Sequence, residues 1–122
     1  MMGIRSMLRG QQMMLRANAR TVPAGTVSFV AVNHGTRTHE LIVLPLTAGA
    51  SVGDRSVGAG RRVDEAGSIG EASHTCGTGP GEGISVGTVG WVALSLIPGR
   101  YELVCNLPGH YAAGMRTELD VT

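Results

Sequence analysis

Cys105, His110 and Met115 stand at five-residue intervals in the stretch CNLPGHYAAGM, which offers a thiol, an imidazole and a thioether within one loop. Thiolate and thioether favour Cu(I), while imidazole suits Cu(II) as well, so the three form most of a donor set for a copper centre that changes oxidation state. Such a trigonal set needs a second imidazole. His39 opens an apolar strand after the tight NHGTRT stretch and can face inward at the end of a domain. His34 lies in a turn and is expected to be solvated, and His74 sits in HTCGTG, a poor frame for a rigid centre. His39 is therefore the candidate.

The elements that must position these residues are strands. A VPAG turn precedes Val27 to Asn33, and His39 to Leu44 is an apolar run closed by Pro45, the pattern of a strand buried on both faces. Gly90 to Ile97 reads as a strand, the turn Pro98-Gly99 follows, and Arg100 to Cys105 reads as the next. Tyr101, Leu103 and Cys105 share one face of it and Glu102 takes the other. In Met115 to Val121, Arg116, Glu118 and Asp120 face water, which leaves Met115, Thr117, Leu119 and Val121 on the inner face. The pattern predicts an all-β fold, a Greek-key β-sandwich of about seven or eight strands. Cys105 would end one strand and Met115 begin the next, both facing inward at one end.

Two stretches fall outside that pattern. Residues 1–14 hold five of the six methionines and read as a flexible Met-rich tail, with a weak Cu(I) site as the sharper alternative. Residues 15–122 form the domain, and within them 47–88 is a long Gly-rich insert that has room for a short helical turn over 63–72.

Composition narrows the function. The net charge is +1, the ten cationic residues are all arginine and are scattered, and aromatics are nearly absent, which excludes a nucleic-acid surface. No apolar run approaches the length of a membrane span. The start carries no export signal, so a chain that works outside the cytoplasm would receive one from a longer precursor or lose it by processing.

The pairing of an early THELIVL with a late YELVCNLPGHYAAGM resembles the cupredoxins, the type 1 blue-copper proteins. The C-x4-H-x4-M spacing is most similar to the rusticyanin and sulfocyanin-like branch. The resemblance covers about residues 15–46 and 84–122. It implies one copper per chain, with His39, Cys105 and His110 as equatorial ligands and Met115 as the axial one. It implies a one-electron carrier without a substrate rather than an enzyme, since catalysis in related proteins needs further histidines and this chain has four in all. His110 would be the solvent-edge ligand, set among Leu107, Pro108, Tyr111, Ala112 and Ala113, where a redox-partner protein docks. A periplasmic or extracellular location goes with the family, and membrane association would come only through an anchor missing from this chain or a membrane-bound partner. One departure stands out: Glu40 follows the first histidine where many members have an Asn that ties the ligand loops together, and Asn106 could supply part of that bracing.

Two other readings compete. The same ligands could serve a copper-binding module for storage or delivery. Alternatively, a Cys76–Cys105 disulfide could close an immunoglobulin-like sandwich without metal, although Cys76 lies in the glycine-rich TCGTGPGEG rather than on a facing strand. A second metal site at His74 and Cys76 would have too few ligands of its own. Without one, Cys76 is a free thiol or pairs with another molecule's thiol.

Overall fold

Val27, Phe29 and Ala31 alternate with more exposed neighbours along Gly25–Asn33, and that alternation turns one face of the strand into the core. The computed structural model describes residues 2–6, 13–73 and 83–122. The strands are β1 (Met2–Ser6), β2 (Leu15–Ala17), β3 (Thr21–Val22), β4 (Gly25–Asn33), β5 (Ile42–Pro45), β6 (Gly70–Glu71), β7 (Val89–Leu96), β8 (Gly99–Val104) and β9 (Arg116–Val121). They form a sheet of order β2-β1-β4-β7 and a second of order β3-β9-β8-β5-β6. The sandwich expected from the sequence is present, with additional strands of two or three residues at β2, β3 and β6.

Two departures concern the stretches that lacked a pattern. Met2–Ser6 pairs parallel with β4 and antiparallel with β2, so this part of the Met-rich stretch adds a strand to the sheet. Met13 packs against the core. Within the insert the short helix is a 3₁₀ turn at Ala59–Arg61, not a helix over 63–72, and Gly70–Glu71 pairs with Ile42 and Val43 instead. Gly70 also lets β6 lie close against β7, because a Cβ there would lie 2.6 Å from the Leu94 side chain.

The main core lies between the sheets and joins Phe29, Leu41, Leu103, Leu119, Cys105 and Met115. A second cluster, Ile42, Leu44, Val63, Val104 and Tyr111, lies on the outer face of the second sheet. There the insert covers β5 and β8, which is why the run from His39 to Leu44 is buried on both faces. Along β9, Leu119 and Val121 are buried as the alternation predicts. The pairings Ile42 with Val104 and Val104 with Arg116 bring the start of β5, the end of β8 and the start of β9 to one end of the sandwich.

Candidate metal centre

Three side chains meet at that end. His39 Nδ1 lies 3.3 Å from His110 Nδ1, Cys105 Sγ lies 3.3 Å from His110 Nδ1, and Cys105 Sγ lies 3.8 Å from His39 Nδ1. Those sides put one in-plane point about 2 Å from all three atoms, close to the length of a metal–imidazole bond. All three residues are buried, Cys105 completely, and Cys105 is a free thiol. Among the described residues no carboxylate joins the cluster. Two imidazoles and a thiol in this arrangement suit a borderline-soft transition metal.

Each ligand candidate has its own support. His39 sits in a backbone bridge with Ile84, donating to the Ile84 carbonyl at 3.1 Å. The loop before it is stapled by Asn33, whose amide donates to the carbonyls of Arg37 at 2.7 Å and Ile84 at 2.8 Å and accepts from the Gly35 N–H. Asn33 read in the sequence only as a turn residue that ends a strand, so its bracing role had no local signal. His110 begins the single helical turn α1 (His110–Ala113), which runs between two left-handed glycines, Gly109 at φ 80° and Gly114 at φ 117°. A side chain at either position would strain the backbone, so the turn depends on both glycines. Met115 is buried at the same end, its carbonyl accepting from Cys105 N–H at 3.0 Å and its N–H donating to the His110 carbonyl at 3.1 Å. With His39, Asn33 and Ile84 it lines a small cavity beside the site. His34 is exposed, as expected, and His74 and Cys76 lie outside the described residues.

The insert braces the loop from outside. Asn106 accepts from Val63 N–H at 2.8 Å and donates to the Val63 carbonyl at 2.9 Å and to Glu65 at 2.8 Å. The Gly109 N–H donates to the Arg61 carbonyl at 2.9 Å. Asn106 thus ties the Cys105 loop to the insert, whereas the link to the His39 loop is made by the Glu40 N–H, which donates to Cys105 Sγ at 3.2 Å. Tyr111 does not join the apolar rim around His110. Its ring is buried, its hydroxyl donates to Glu102 at 2.8 Å and accepts from Arg55 N–H, and Arg116 stacks over its face. Because Asn106→Ala would leave a buried N–H and carbonyl of Val63 unpartnered, we expect it to lower the unfolding free energy by about 2–3 kcal/mol. A denaturant midpoint unchanged from wild type would contradict the bracing role.

Burial governs the charges here. It pushes the Cys105 thiol up to about 11, against the pull of the Glu40 and Leu107 N–H groups toward the sulfur. It lowers His39 to about 4, helped by the charges of His110 and Arg37, and it lowers His110 with help from Arg37. Both imidazoles are therefore neutral at pH 7 and available as donors. Glu40 is buried, its carboxyl is pushed up by burial and by Glu65, and its Oε1 has no partner among the described residues.

No protein-family model matches the chain, and no curated protein matches it in sequence. Solved structures do match. Reduced auracyanin from Roseiflexus castenholzii aligns with a TM-score of 0.66 at 21% identity, over 98% of this chain and 94% of that one. Auracyanin A, a "blue" copper protein from Chloroflexus aurantiacus, aligns at 0.62 and 20% identity, over 98% and 96% of the two chains. Rusticyanin from Thiobacillus ferrooxidans aligns at 0.62 and 18% identity, over 99% of this chain and 75% of that one. Identities this low establish a shared fold.

Proposed function

We propose, from the cupredoxin fold that this chain shares with auracyanin and rusticyanin, that it is a mononuclear type 1 copper protein that carries single electrons between redox partners. The observation that carries the proposal is the buried triangle of His39 Nδ1, His110 Nδ1 and the free Cys105 Sγ. His39, Cys105 and His110 would hold the copper, and Met115 would supply the weak axial thioether. Copper bound there supplies a reversible Cu(I)/Cu(II) couple.

The chain's own residues do the rest. The Glu40 N–H donates to the sulfur and would steady the negative charge it takes on as a copper ligand. Burial excludes water from the donor atoms, and the Asn33 staple and the insert fix the two loops that carry them. Rigid bracing on both sides favours electron transfer over storage or delivery, since metal release would require these contacts to open. His110 lies at the rim beside exposed Pro108, Ala112 and Ala113, which suits brief contact with a partner protein. The location implied by the resemblance, periplasmic or extracellular, goes with this reading. No helix among the described residues is long and apolar enough to cross a membrane.

Titration with Cu(II) is expected to give an intense visible thiolate-to-copper band that saturates at one equivalent, with paramagnetic resonance of a single copper. Failure to take up copper, or uptake without the band, would overturn the proposal. Met115→Leu is expected to keep the colour and raise the reduction potential, because losing a weak donor destabilises Cu(II) relative to Cu(I). Voltammetry that finds an unchanged or lower potential would remove Met115 from the axial position.

A further inference from the structure

Arg61 has a left-handed backbone at φ 57°, and among the described residues it is the one non-glycine residue that does. That conformation is strained for a residue with a Cβ, and glycines stand close by at 58 and 60. Glycine would adopt it without strain, so the retained side chain is informative. Its guanidinium lies against the loop before His110: a Cβ on Gly109 would sit 3.3 Å from Arg61 Nη1. The side chain is exposed, as is that of Arg37, and neither forms an ion pair with a carboxylate of the described residues.

We propose that Arg61, together with Arg37, forms the docking contact of the His110 edge for a redox-partner protein that presents carboxylates around its own electron-transfer edge. The inference rests on the carrier reading and names the chemistry of the partner. Arg37 stands two residues before His39, and its carbonyl accepts from the Asn33 amide that staples this loop beside the site. The loop from Cys105 to Arg116 contains no acidic residue. Glu102 is buried and paired with Arg55, and Glu118 and Asp120 pair with Arg20 and Arg100 along β9. The acids nearest Arg61 in sequence are engaged locally, Asp64 by the Ala66 N–H and Glu65 by Asn106. Among the described residues, what remains is an apolar rim with two cations outside any ion pair beside the proposed exit ligand, a pattern that steers an anionic face and lets it separate again.

Two measurements on the full chain test this. In the first, a hexaglutamate peptide is titrated into isotope-labelled protein at low salt, and amide shifts are followed. Shifts are expected at residues 37, 61, 107 and 109–113, to be lost in Arg61→Gln, in Arg37→Gln and above about 0.3 M salt, where the Debye length is only a few ångströms. In the second, the copper-loaded protein is oxidised by hexacyanoferrate(III) and by the cationic tris(phenanthroline)cobalt(III). Arg61→Gln is expected to slow the anionic oxidant about threefold at low salt, as the loss of one nearby charge implies, without moving the visible band. Arg20→Gln, the same charge change near the other end of β9, is the control. Equal effects of the two variants would reduce the matter to net charge and overturn the proposal, as would peptide shifts that cluster elsewhere. The peptide arm does not depend on copper, so a failed copper titration would sink the carrier reading separately.

Discussion

Cys105→Ser is expected to yield a folded, colourless protein whose copper affinity has fallen by more than about a hundredfold, beyond the upper range for losing a residue that only supports a ligand. The side chain is fully buried and the Glu40 N–H points at its sulfur. A serine hydroxyl is slightly smaller and can accept the same N–H, so the core keeps its shape. It cannot, however, become a soft anionic donor near neutral pH, and the two imidazoles alone hold copper weakly. Absorption titration of the variant alongside wild type reads the loss, and thermal unfolding reads the fold. A visible band that survives in the variant would mean that another thiol supplies the sulfur and that the assigned triangle is wrong.

The second large effect is on stability. Glu102 is fully buried on the outer face of β8, where Arg55 Nε reaches it at 2.6 Å, Gly53 N–H at 2.9 Å and the Tyr111 hydroxyl at 2.8 Å. Arg55→Met removes the one cation from this group and leaves a buried carboxylate with dipoles alone. Losing one partner of such a pair typically costs about 3–5 kcal/mol, and we expect that loss in guanidinium unfolding. Glu102→Leu combined with Arg55→Met should recover part of it, since no charge then remains in the cluster although the Gly53 N–H and the Tyr111 hydroxyl lose their acceptor. If the single variant costs less than about 1 kcal/mol, Glu102 is not held as a carboxylate and the pair is incidental.

The strands and the ligand candidates were legible because their signals are local. Alternation in Met115 to Val121 and the continuous apolar run from His39 to Leu44 each follow from a strand's period and burial. The graded donors Cys105, His110 and Met115 sit on one short loop, so their spacing could be read directly. Only His39 had to be chosen among candidates, and its place before a buried strand decided it. The bracing was not legible. Asn33, Arg55, Glu102 and Arg61 act through partners distant in sequence, and an Asn after a strand or an Arg in a glycine-rich stretch has the same local appearance whether or not it holds a site. Tyr111 was misplaced at the rim for a related reason. A four-residue helical turn sends neighbouring side chains in different directions, so His110 faces the site while Tyr111 faces the insert. The first residues offered methionines without a period, and nothing in them announces that Met2–Ser6 finds a place beside β4.

The bonds between the insert and the ligand loop have one more consequence, for the order in which the molecule assembles. Gly53 with Glu102, Arg55 with Tyr111, and Asn106 with Val63 and Glu65 join residues 41 to 56 positions apart. Contacts across such separations close late, because the chain must surrender the freedom of a long loop before they return any stabilisation. The hairpin of β8 and β9 can form early from neighbouring residues, carrying Cys105 with it. The thiol faces the core and is covered when the first sheet packs on the second, whereas the insert closes over the outer face and fixes the loop that carries it. The glycine-rich stretch that looks like padding between strands therefore sets when the ligand loop, already formed on its hairpin, becomes fixed during folding.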